Sequence, residues 1–193
     1  MSLLFTVEAK IVQPSIETLL ISPFKEIWER DITEDKRYAI EDFAYMEFVT
    51  SVQKSNVYSG YSEDTKKEKV KKDIISREDW QEDALIIKGM VEIIKFQKEA
   101  SVTYNYYMSA KIAAEKLQDF FNDFAMDAVN VKSGMPLYKP KDITTALNDT
   151  SKILENLNTL RDKVDNELFE EIKSRAGKEI SIFAKPESLT TVS

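Results

Sequence analysis

The densest group of chemically assertive side chains in this 193-residue chain is Lys66-Lys67-Glu68-Lys69-Val70-Lys71-Lys72, which closely follows Tyr58 and Tyr61. Basic residues beside aromatic ones can grip nucleic acid, because ammonium groups neutralise phosphates while rings stack on bases. The same run also reads as a solvated helix face whose lysines pair with Asp64, Glu68 and Asp73, or as a contact with an acidic neighbouring subunit. The whole chain has 27 basic and 34 acidic residues, a formal charge of −7, which argues against bulk coating of nucleic acid. An acidic balance suits ordinary solubility, and it equally suits a protein past which DNA must slide.

Catalytic constellations are not marked. The chain has no histidine and no cysteine. It therefore lacks the usual general base, the imidazole and thiolate metal ligands, and the means to form a disulfide. Without histidine a di-iron Glu-x-x-His site is excluded. The adjacent carboxylates Glu82-Asp83 and Glu170-Glu171 do not share a helix face, so they read as solvated positions rather than as a glycosidase pair. Gly60, Gly89, Gly134 and Gly177 are isolated and form no phosphate-binding loop. The expectation is a protein that is not an enzyme, with no cofactor and no metal.

The elements that must position these residues read as all-α. Four glycines and five prolines are few for a hairpin-rich chain. Residues 5–12 (FTVEAKIV) alternate as one short strand, which must pair with another segment or another chain. Ser22-Pro23 reads as an N-cap and first helical residue, followed by Phe24, Ile27 and Trp28 on one face. A second helix opens near Thr33 or Asp35 and breaks near Ser55-Asn56, and a charged helix follows from about Ser62 to Ser76. The apolar period from about Glu78 to Phe124 fits either one long helix or two with a kink at Gln97–Ser101. Asp127 to Lys141 reads as a small hairpin or extended loop around Ser133-Gly134. The last helix starts with Asp142 as N-cap. Its seam of Ile143, Leu147, Thr150, Leu154, Leu157, Val164, Leu168 and Ile172 is close to that of a coiled coil, and it stops at Ala176-Gly177.

The fold expected is therefore an all-α helical bundle (14–177) with long antiparallel helices. It carries a short N-terminal strand (1–13), a hairpin-like loop (127–141) and an extended C-terminal arm (178–193). No apolar run is long enough to span a membrane. The N-terminus lacks a basic region and meets Glu8 too early for a secretory signal, which suggests an unprocessed protein made in the cytoplasm. Tyr104, Tyr106 and Tyr107 are dense. Core packing accounts for Tyr104 and Tyr107, and a protein–protein surface is the alternative. The side chains expected to make protein contacts are Phe24, Trp28, Tyr58, Tyr61, Tyr104, Tyr107, Leu137, Tyr138, Ile180, Ile182 and Phe183. The candidate basic patch is Lys66, Lys67, Lys69, Lys71 and Lys72.

Three stretches carry a family resemblance: Pro14 to Asp31 (PSIETLLISPFKEIWERD), Tyr104 to Lys116 (YNYYMSAKIAAEK) and Tyr138 to Thr144 (YKPKDIT). Jointly they resemble a virion structural protein of crAss-like tailed bacteriophages of gut Bacteroides, over residues 14–183. The resemblance implies an adaptor-like ring protein of the head–tail connector, below the portal, assembled in the host cytoplasm and located in the virion. It implies twelve-fold copies of the chain around the DNA channel, with the portal and other tail proteins as partners. It also implies a C-terminal arm against the portal, DNA passing without sequence-specific binding, and no membrane. It supplies no residue-level binding motif. The alternative reading is a helical DNA-binding or packaging-associated phage protein that uses Lys66–Lys72.

Overall fold

The single strand expected over residues 5–12 instead folds back on itself. β1 (Phe5–Glu8) pairs antiparallel with β2 (Ile11–Pro14), with Phe5 opposite Pro14 and Val7 opposite Val12. A lone strand leaves backbone N–H and C=O groups unpaired, and the hairpin satisfies them within the chain. The all-α expectation is thus corrected to a mostly helical chain with a two-stranded sheet at its N-terminus. The structure, a computed structural model, describes residues 4–8, 10–123, 128–136 and 139–182, with the backbone alone at 140 and 175–182.

A 3-10 turn (Thr18–Leu20) follows, pinned by Thr18, whose backbone N–H donates to Ser15 Oγ at 3.1 Å. Helix α1 (Phe24–Arg30) begins one residue later than the Ser-Pro signal suggests. Pro23 is its N-cap, behind a cis Ser22–Pro23 bond, and the Ser22 hydroxyl donates to Glu26 at 2.6 Å instead of accepting a backbone N–H. Helix α2 (Arg37–Thr50) starts from Lys36, which has φ 53° and offers no side-chain cap. Asp31 takes over that role, accepting the N–H groups of Thr33 and Ala39 at 2.8 Å each.

Helix α2 is buried around most of its circumference, including Ala39, Phe43, Tyr45, Met46 and Phe48. A helix apolar on all sides belongs at the centre of a fold, and the hairpin, α1, α3 (Glu63–Ile74) and α4 (Ala84–Ala100) pack around it. Phe43 anchors an aromatic cluster, 5.5 Å from Phe5 and 6.2 Å from Phe24 between ring centres, with Trp28 stacked on it at 6.3 Å. Helices α2 and α4 approach closely at Gly89, where a Cβ would fall 2.3 Å from Met46 Sδ.

Of the two readings for the long periodic region, two helices form: α4 and α5 (Tyr104–Asn122), separated at residues 101–103. Between α5 and α6, residues 129–136 form a tight turn. Val129 bridges Pro136, the Asn130 N–H donates to the Met135 carbonyl at 2.8 Å, and Gly134 has the positive φ of 64° that favours glycine. Helix α6 (Pro140–Ile182) runs 43 residues, about 65 Å at 1.5 Å per residue. Asp142 lies in its first turn rather than at its N-cap. The expected stop at Ala176-Gly177 and the extended conformation expected from Lys178 are also corrected, because the helix continues to Ile182. Once a helix is nucleated each further residue adds a hydrogen bond, so one glycine followed by Lys-Glu does not end it. Residues 183–193 of the expected arm lie outside the described residues. No helix among the described residues is long and apolar enough to cross a membrane.

Candidate interaction surfaces

The lysine run does not form a free basic patch. Lys66 is buried, and its ammonium donates to the carbonyls of Val49 (2.6 Å) and Ser51 (3.2 Å) at the C-terminal end of α2, where unpaired carbonyls favour a cation. Lys67 pairs with Glu82 at 3.0 Å, Lys69 lies over the Tyr61 ring at 4.4 Å, and Lys71 lies over the Trp80 ring at 5.5 Å. Lys72 is exposed. Consecutive helix positions point in different directions, so Lys66, Lys67, Lys69 and Lys71 meet their partners on several sides of α3. Burial is the main cause that holds the Lys66 pKa down, to about 8. Lys111 and Arg161 add to the effect, and Glu63 and Glu47 oppose it.

Several expected contact residues belong to the interior, which corrects their assignment to a surface. Phe24 is fully buried in the aromatic cluster. Tyr58 is buried with its hydroxyl donating to Asp73 at 2.9 Å, and Tyr104 and Tyr107 are buried in a small second core. Trp28 is half-buried on Phe43. Tyr61 remains exposed. Ile180 and Ile182 lie in the last turns of α6, while Leu137, Tyr138 and Phe183 fall outside the described residues.

The adjacent carboxylates are also engaged in the fold. Glu82 accepts from the Tyr45 hydroxyl and from Lys67. Asp83 caps α4 through the N–H groups of Leu85 and Ile86, both at 2.9 Å, and pairs with Arg30. Asp42, buried beneath them, accepts from Arg30 at 2.8 Å, from Arg77, and from the Trp80 indole N–H at 2.7 Å. This cluster joins α1, α2 and the segment leading into α4 by charge-assisted hydrogen bonds.

Helix α6 meets the body through a short set of contacts that sequence reasoning missed. Arg161 donates to the carbonyls of Val52 (3.1 Å) and Gln53 (3.1 Å), and Asp165 accepts the Lys54 N–H at 3.0 Å. Glu167 accepts from the Ser101 hydroxyl at 2.7 Å, and from the N–H and hydroxyl of Thr103. Val164 and Leu168 pack between these polar clasps against Tyr104 and Tyr107. The sequence signals Val164 and Leu168 by their spacing. Nothing local marks the clasps, whose partners are 64 to 111 residues away.

Away from this junction the α5–α6 hairpin is thinly covered. Residues 108–122 and 141–163 contain no buried side chain. Leu147 and Leu154, expected to close the seam, are 55% and 50% exposed, and Val131 at the turn is 99% exposed. Tyr107 opposite Val164 and Leu168, with Leu117 and Phe121 facing Ile153 and Leu154, sets the two helices antiparallel. They splay around a groove of about 530 Å³, bounded on one side by Ser59–Ser62. Comparison of the chain with protein-family models, with curated proteins and with solved structures gave no match.

Proposed function

We propose that the chain is a non-enzymatic structural subunit of a ring in the portal-proximal head–tail connector of a tailed bacteriophage. The observation that carries this reading is the α5–α6 hairpin, a pair of long helical stems with no buried side chain over most of their length. Helices in water are stabilised mainly by burying one face, and an uncovered apolar face is the mark of a protein that works by contact. The three stretches of resemblance fall on the 3-10 turn with α1, on the first turns of α5, and around the start of α6. They thus include both the body and the stems. The adjacent carboxylates Glu82 and Asp83 are occupied in capping and pairing, which supports the same reading.

On this reading the mechanism is mechanical. Lateral contacts between copies close a ring, the body docks against portal and tail components, and the acidic excess of the chain keeps passing DNA from sticking. Mass photometry together with cryo-electron microscopy of particles that contain the chain tests it. The expected result is many copies per virion, arranged as a closed ring at the portal vertex. A single copy per particle, or a location away from that vertex, overturns it.

A further inference from the structure

We infer that the groove between α5 and α6 is the seat of a second copy of this chain, and that the two stems are completed only in the assembly. The first observation is energetic. Residues 108–122 and 141–163 have no buried side chain, although Leu117, Phe121, Ile153, Leu154 and Leu157 all line the groove. A two-helix hairpin with a half-exposed seam gains little from packing, the main source of helical stability in proteins. Two stems side by side, about 20 Å across and about 30 Å long, offer a face of roughly 600 Å², close to the ~800 Å² per partner of a stable interface.

The second observation is the charge pattern, which disfavours a strongly charged occupant and is compatible with a second copy. The chain carries −7 overall, yet the two stems hold six basic and six acidic residues with the signs interspersed. A neutral surface of mixed sign attracts neither phosphate nor a strongly charged protein. It does suit an equally neutral copy of itself, because opposite charges can meet without a net repulsion. Lys111, at the groove wall, is already paired with Glu63 and Glu115 at 3.6 Å each, and Arg161 is committed to the carbonyls of Val52 and Gln53. The strongest cations of the groove are therefore satisfied, and its free character is apolar.

The choice of a second copy over another protein rests on the assembly reading above.

The absence of native cysteine makes the test direct. Leu154→Cys places one thiol in the groove and Ser133→Cys places one on the exposed turn, each in the full chain. Maleimide labelling of Leu154→Cys should slow at least ten-fold between sub-micromolar and high-micromolar protein, while Ser133→Cys labels at a constant rate. Mass photometry should show oligomers over the same range. The paired substitution Leu117→Glu with Leu154→Glu should return the mass to a monomer's, with the body still folded by the near-ultraviolet signal of Trp28 and Trp80. A wild-type chain that stays monomeric, or oligomers in which Leu154→Cys labels as fast as in the monomer, overturns the inference. Protected Leu154→Cys in a closed dimer of two would uphold this seat and sink the ring.

Discussion

The carboxylate of Glu167, in the middle of α6, accepts the backbone N–H of Thr103 at 3.0 Å, 64 residues earlier in the chain. Thr103 is the N-cap residue of α5, but its own side chain makes no capping bond. The negative charge at the start of α5 is thus supplied by its antiparallel partner. One contact fixes the N-terminus of α5, the break after α4 and the position of α6 together. Glu167→Ala removes a cap worth about 0.5–2 kcal/mol. It also strands the buried Ser101 hydroxyl at a further cost of about 1–3 kcal/mol. The expected loss of about 2–3 kcal/mol should appear in urea unfolding. Native-state hydrogen exchange should show it concentrated in α5 and in the Arg161–Leu168 stretch of α6.

The same carboxylate makes stability sensitive to acid. Burial raises the Glu167 pKa, but the hydrogen bonds from Thr103 and Ser101 outweigh it and hold the group below its ordinary 4.5. Asp31 behaves alike: burial is outweighed by bonds from Thr33 and Ala39, so its pKa lies below 3.8. Both folded values are depressed relative to the unfolded chain. Their contribution is therefore complete above the unfolded values and is lost as pH falls through the folded ones. Thermal melts should be flat from neutrality to about pH 5 and fall steeply below about pH 4. In Glu167→Gln the α5–α6 part of that fall should be reduced, and an unaltered acid limb would refute the assignment.

Asp42 is a costly side chain to remove. It is 1% exposed, and it accepts from two arginines and an indole. Asp42→Ala leaves two guanidinium groups facing each other in a partly buried site, for which about 3–5 kcal/mol is the expected loss. The informative control replaces all three charges, Arg30→Met, Asp42→Leu and Arg77→Met together. If the damage comes from uncompensated charge, the triple variant should recover much of the stability lost by Asp42→Ala, in the same denaturant titration.

Much of this fold follows from local pattern. The period of α2, α4, α5 and α6 and the turn at Gly134 are legible from spacing, whereas for Tyr104 and Tyr107 spacing leaves core and contact surface both open, and the structure buries them. Three features are not, because each depends on a partner that the spacing pattern of its own element does not reveal. The hairpin at Phe5–Pro14 is hidden because alternation across residues 5–12 is the same whether or not the strand doubles back. The caps at α2 and α5 come from Asp31 and Glu167, which are distant from the usual capping position. Lys66 looks like one of several surface lysines, yet the tertiary fold buries it against the end of α2. As for the surfaces, Tyr61 is exposed. The groove between α5 and α6 is only half visible, because the heptad-like spacing of Leu147, Leu154 and Leu157 forecasts a closed seam, whereas the helices splay there.

Lys66 gives the alkaline side of the stability profile its shape. Its pKa in the fold is about 8, against 10.5 for the free side chain. Between those values the unfolded chain binds more protons than the folded one, so stability rises with pH. The groups that set this balance come from four elements: Glu47 on α2, Glu63 on α3, Lys111 on α5 and Arg161 on α6. Buried tyrosines act in the opposite sense. Burial pushes Tyr104 up to about 12, and burial with the Glu82 hydrogen bond raises Tyr45 as well. For an acid with a raised folded pKa, stability is complete below the unfolded value of 10 and is lost above it. The melting temperature should therefore climb from about pH 8, peak near pH 10, and fall beyond. Lys66→Met keeps the bulk of the side chain but has no proton to lose, so its melts should be level from pH 8 to 10 and show only the later fall. A climb that persists in Lys66→Met would assign the effect to another group.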